Sequence, residues 1–147
     1  MIDRNFIGHE FAPVTVEAEK GRLRFFAKAT GSTDPIYSDE EAARKAGYRA
    51  LPAPPTFLFS LEMDRDNPFD FLELLDIDIG KILHGEQVFT YHAPICAGDR
   101  ITLKSKIADI YDKKGGALEF LVIDTEARNQ DGAHVADMRR SIVVRHG

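Results

Sequence analysis

A small set of side chains in this sequence has the types and spacing that chemistry requires. Asp34 stands in the run Thr33-Asp34-Pro35-Ile36-Tyr37, where a carboxylate could serve as a general base or could cap its own turn ahead of Pro35. His84-Gly85-Glu86 places an imidazole and a carboxylate two residues apart. On a strand that spacing puts both on one face, where one could orient the other. The pair Pro54-Pro55 lacks backbone N–H groups, so at a helix start the first available donors are Thr56 and Phe57, an arrangement suited to a carbonyl or a developing oxyanion. Arg44, Lys45 and Arg49 form a local cationic group that could meet a phosphate or lie solvated on a helix face. His92, just before Ala93-Pro94, is expected to satisfy turn backbone, and Asp99 after Gly98 is expected to be a turn residue. Cys96 is the sole cysteine. With no clustered Cys/His spacing, the sequence predicts neither a disulfide nor a metal or other cofactor.

The elements that must position these groups follow from periodicity and turn chemistry. Phe11 to Val16 reads as a strand. Glu19 to Thr30 reads as a helix, with Leu23, Phe26 and Ala27 on one face and Gly31 as its stop. Ser38 and Glu41 have the spacing of a capping box for a second helix ending at Gly47. After the stiff Leu51-Pro52-Ala53-Pro54-Pro55 comes a helix over Thr56 to Met63, apolar on nearly every face and therefore buried on most sides. Residues 64–80 read as a loop with a helical turn around Phe69 to Leu75. Four strands then follow over 82–92, 99–112, 117–129 and 134–146. Their separators (Pro94 with Ala97-Gly98-Asp99, Lys113-Lys114-Gly115-Gly116 and Asn129-Gln130-Asp131-Gly132) predict consecutive hairpins. Helices followed by a run of strands give an α+β class. Five mainly antiparallel strands around one apolar helix make a hotdog arrangement, whose open edges predict a dimer.

Composition bounds the function. At 147 residues the chain has room for a single domain, spanning 1–147, and 44% hydrophobic with 29% charged residues exclude wholesale disorder. A net charge of −5 argues against nucleic-acid binding by counterion release. There is no basic, apolar leader and no apolar run near the ~20 residues needed to span a bilayer, so a cytoplasmic protein is expected.

Three segments resemble the MaoC-like enoyl-thioester hydratases. Phe26 to Tyr37 is similar to that family's hydratase motif. Gly47-Tyr48-Arg49-Ala50-Leu51-Pro52-Ala53-Pro54-Pro55-Thr56-Phe57 resembles the lead into its central helix. Phe89-Thr90-Tyr91-His92-Ala93-Pro94-Ile95-Cys96-Ala97-Gly98-Asp99 resembles its strand and turn ending in Ala-Gly-Asp. The likeness runs from about Phe11 to Val144 and is nearest to the FAS1-like dehydratase branch, in which His-Gly-Glu also recurs. It implies a hydratase or dehydratase of enoyl and 3-hydroxyacyl thioesters of coenzyme A or acyl carrier protein. It also implies substrate binding around Ala53, Thr56 and Phe57, with Arg44 and Arg49 toward the carrier phosphates. Active relatives use an Asp and a His, five residues apart, to activate water. Ser32 and Tyr37 occupy those positions here, and neither is a carboxylate base or, with a phenol pKa of about 10, a ready proton shuttle. The departure leaves Asp34, His84 and Glu86 as the chain's own candidates for catalysis. It also raises the alternative of a non-catalytic acyl-binding subunit beside a paralogous hotdog chain that carries the dyad. A thioesterase, the third option, needs a carboxylate near the helix start, and Glu62 lies about two turns in.

Overall fold

The computed structural model describes residues 1–146. Five strands form one antiparallel sheet: β1 (Val14–Glu17), β2 (Ile82–Tyr91), β3 (Arg100–Lys113), β4 (Leu118–Arg128) and β5 (His134–Arg145), in the order β1-β3-β4-β5-β2. Four α-helices lie among them: α1 (Lys20–Ala29), α2 (Glu40–Lys45), α3 (Phe57–Met63) and α4 (Asp70–Leu74). The sheet curls around α3, whose Phe57, Leu58 and Leu61 are buried against Ile101, Leu103, Ala127, Ala136 and Met138. This is the hotdog arrangement that the element order predicts.

Alternation explains the three long strands. In β3, Ile101, Leu103, Ser105 and Ile107 point inward while Lys104 and Lys106 point out. In β5 the inward set is Ala136, Met138, Arg140, Ile142 and Val144. Between the α3 cluster and a second apolar cluster around Phe71, Ile110, Leu121 and Ile142 lies a polar band. There the Arg140 Nη2 stands 3.6 Å from Glu62 Oε1, Thr125 donates to Glu62 at 3.3 Å, and Ser105 and Thr125 hydroxyls bond at 2.8 Å.

Two local expectations are corrected. Asp39, not Ser38, caps α2, its Oδ1 accepting from Glu41 N at 2.8 Å and Ala42 N at 3.4 Å; both residue types suit an N-cap, and the chain places the carboxylate one position later. The second correction concerns connectivity. β3, β4 and β5 are consecutive hairpin partners, but β2 pairs with β5 at the far edge rather than with β3. Residues 92–99 are therefore a crossover and not a hairpin turn. Pro94 and Gly98 still turn the chain, but they turn it onto the segment before α3. Ala53 N donates to Ile95 O at 2.7 Å and Ala97 N donates to Leu51 O at 2.8 Å. That pairing ties the start of the buried helix to the end of β2.

Candidate functional site

Where these two segments meet, a cavity of about 350 Å³ opens, lined by Tyr37, Tyr48, Pro52, Ala53, Leu58, Tyr91 and His92 among others. Each phenol arrives from a different element. Tyr37 ends the 3-10 turn Pro35–Tyr37, which Asp34 caps by accepting from Ile36 N at 3.1 Å. Tyr48 follows Gly47, whose φ of +94° lets α2 end sharply, so that Tyr48 N reaches back to Ala43 O at 3.0 Å. Tyr91 is the last residue of β2, and its ring stacks on Phe89 with centroids 6.0 Å apart.

The start of α3 is occupied by protein groups. Thr56 holds a left-handed φ of +71°, and its N–H donates to the Tyr91 hydroxyl at 2.8 Å. Phe57 N donates to Pro54 O at 3.1 Å. The Tyr91 oxygen accepts that first bond while its own proton stays free to donate. Burial pushes the Tyr37 phenol upward, and the nearby Asp34, Tyr48 and Tyr91 add to the shift. Near neutral pH Tyr37 is therefore a hydrogen-bond donor and not a base.

The structure brings some of the sequence candidates together here and leaves others apart. Tyr37 and Ala53 line the cavity, and Thr56 borders it through Tyr91. Phe57 is 1% exposed and packs edge-on against Phe26 in the core. Ser32 is exposed just past α1, its N–H bonded to Ala27 O at 2.9 Å. Asp34 is exposed and holds the turn that carries Tyr37. Arg44 is exposed on α2 with Glu40 Oε2 at 4.0 Å. Arg49 binds Asp99, a fully buried carboxylate that also accepts from Cys96 N at 2.8 Å and Gln130 Nε2 at 2.9 Å. Asp99 is thus a latch between three loops and more than a turn residue. Burial raises the Cys96 thiol, so this buried cysteine is no nucleophile.

His84 and Glu86 do not share a face. The register shifts between them, so His84 pairs with the buried Ile142 and Glu86 with the neighbouring Ser141. Gly85 is the extra residue of this β-bulge, and the alternation rule behind the expected pair fails at it. The His84 ring lies 5.2 Å from Phe59, away from the cavity lining. Glu62, the carboxylate a thioesterase would need, is 1% exposed and faces Arg140 and the sheet.

Sequence reasoning missed Tyr48 and Tyr91, although both sit inside segments that it singled out. It also missed what His92 does. The backbone N–H of His92 bonds Val135 O at 2.9 Å, but its Nε2 meets Asp137 Oδ2 at 2.8 Å. Among the described residues no carboxylate lines the cavity.

Comparison with known proteins gives this geometry its context. The chain is 32% identical over 145 residues to a UPF0336 protein of Streptomyces avermitilis, covering 98% of this chain and 95% of that one. Among solved structures, a chain of the C-terminally truncated HadBC (3R-hydroxyacyl-ACP dehydratase) complex of Mycobacterium tuberculosis superposes with a TM-score of 0.80 at 29% identity, covering 94% of this chain and 96% of that chain. A chain of the ChsH1-ChsH2 complex of the same organism shares the fold, with a TM-score of 0.74 at 23% identity over 92% and 88% of the two chains. The model of the FAS1-like dehydratase domain region matches residues 5–138, and the chain belongs to that family.

Proposed function

We propose that this chain is the substrate-holding half of a two-chain hotdog dehydratase or hydratase, binding enoyl and 3-hydroxyacyl thioesters of coenzyme A or acyl carrier protein. The observation that carries this reading is the composition of the cavity: it offers phenols, prolines, aliphatic carbon and the single imidazole of His92, but no carboxylate among the described residues. Apolar walls with a few polar donors suit an acyl chain and its thioester carbonyl. Removal of water from a 3-hydroxyacyl thioester also needs a base for the α-proton and an acid for the departing hydroxyl. Ser32 and Tyr37 supply neither. In this reading a paralogous chain contributes the Asp and His, while the Tyr91 hydroxyl, polarised by the Thr56 N–H, donates toward the carbonyl. That the similar HadBC protein is a complex supports the two-chain arrangement.

The test is hydration of a trans-2-enoyl-CoA, followed by loss of its conjugated absorbance. The chain alone is expected to bind the thioester and turn it over near background, since acid–base groups contribute about 10²–10⁴-fold. Ser32→Asp and Tyr37→His together are expected to raise the rate, and either alone to do little, because the two act as a unit. Brisk turnover by the unmodified chain would overturn the proposal and favour a self-sufficient enzyme. Asp34→Asn and His84→Gln would then show whether either of these sequence candidates supplies the base.

A further inference from the structure

At the rim of the cavity, on the outer face of the sheet, three side chains from two strand ends converge. His92 follows β2, His134 opens β5, and Asp137 lies three residues further along β5. The Asp137 carboxylate bridges the two imidazoles, with His92 Nε2 at 2.8 Å from Oδ2 and His134 Nε2 at 2.7 Å from Oδ1. The ring centroids are 4.4 Å apart, and one ligating atom from each residue lies within 4.8 Å of the others. We propose that His92, His134 and Asp137 form a binding site for a divalent transition-metal ion of the zinc class.

The donor set suits such an ion. Imidazole nitrogen and carboxylate oxygen bind zinc at about 2.0–2.2 Å, which places tetrahedral ligands about 3.3–3.6 Å apart. The present spacing needs side-chain adjustments on the order of 1 Å to reach that geometry. Among the described residues neither Nδ1 has a hydrogen-bond partner, so each ring can move its proton there and present an Nε2 lone pair. No net proton release is needed from neutral imidazoles. The side chains are 34–43% exposed, which leaves the ion a path in and a position for bound water.

A second observation points the same way. Glu126 of β4 stands directly opposite Asp137 on the outer face, a like-charge cross-strand pair that is unfavourable without a cation. Arg128 takes up Glu126 through bonds of 2.7 and 3.2 Å and spends a third on Gly132 O at 3.0 Å. That leaves Asp137 to the two histidines, which are neutral donors when unprotonated. A divalent ion held by the three would place positive charge directly on Asp137, with Glu126 outside its coordination sphere.

The test uses untagged, metal-stripped protein titrated with Zn²⁺ by calorimetry and with Co²⁺ by visible absorption. The expected result is one ion per chain and a Co²⁺ spectrum of low coordination number. His134→Ala and Asp137→Asn are each expected to weaken Zn²⁺ binding at least about tenfold, and Glu126→Gln to weaken it less. His9→Ala, a histidine remote from the cluster, is expected to change nothing. Thermal melts without metal check that each variant folds. A Zn²⁺-induced rise in Tm that is present in the parent chain and absent in Asp137→Asn would support the site independently of stoichiometry. Substoichiometric binding, or the same affinity in the parent chain, His134→Ala and Asp137→Asn, would overturn the proposal. Because the readout is metal binding, failure here leaves the acyl-thioester reading to be judged on turnover alone.

Discussion

At the scale of single residues, Asp99 shows how a charged group holds the site together without taking part in it. Burial by itself would push this carboxyl upward. The Arg49 guanidinium, the Cys96 N–H and the Gln130 amide outweigh that effect and hold it below the usual aspartate range. Both oxygens accept, Oδ1 from Arg49 and Gln130 and Oδ2 from Cys96 N. An asparagine at this position would have to turn its NH₂ toward one of these donors. Asp99→Asn is therefore expected to cost about 2–3 kcal/mol at pH 7, in the range for hydrogen bonds to charged groups. The sign of the pH dependence follows from the direction of the shift. A folded pKa below the unfolded value of about 3.9 means the contribution is complete above that value and is lost as pH falls through the folded pKa. Urea midpoints of the parent chain and Asp99→Asn should therefore differ most near neutrality and converge in acid. An equal gap at both ends would show that Asp99 acts through packing and not through charge.

At the scale of elements, the β2 bulge decides what the His-Gly-Glu run can do. A Cβ added at Gly85 would sit 2.9 Å from Val143 Cγ2 and 3.2 Å from Ser141 O. Gly85→Ala must therefore push β2 away from β5. The expected loss is about 1–3 kcal/mol, the range for overpacking, measured by denaturant melts. A neutral result would mean that the edge strand gives way freely. The bulge also marks how far the sequence could be read. β3, β4 and β5 were legible because each alternates buried with more exposed positions and because Gly-containing turns join β3 to β4 and β4 to β5. The bulge was not, since a single Gly in a strand pattern allows an ordinary position as well. The place of β2 in the sheet depends on pairing with a strand some fifty residues later, and no local turn encodes that. The phenol-lined cavity and the His92–His134–Asp137 cluster were hidden for the same reason. Their members are near in space only after β2 crosses to the far edge, whereas the Tyr37 turn, built by Asp34 and Pro35, was readable in one short run.

At the scale of the whole molecule, β2 is an edge strand of the sheet, ten residues long, with one row of backbone groups that no strand among the described residues pairs. The opposite edge, β1, is only four residues long. Leu83, Val88 and Tyr91 on β2 are each between 44% and 52% exposed, so the long edge carries apolar side chains as well as free backbone. An edge of this length and character invites a second strand. Tyr91 and His92 at the end of that edge also line the cavity, so a chain docked along β2 lies beside the cavity, where under the proposed function it could deliver the groups that Ser32 and Tyr37 do not. The expected outcome is that the protein sediments at micromolar concentration as a species of at least about twice 16.5 kDa. Replacing Val88 with Lys is expected to shift the population toward the monomer, because natural edges use lysine to block strand addition. If such a variant loses self-association and also loses the rate restored by Ser32→Asp with Tyr37→His, the edge and the cavity belong to one working unit. A monomer that keeps the restored rate would separate them, and would leave the β2 edge with no part in catalysis.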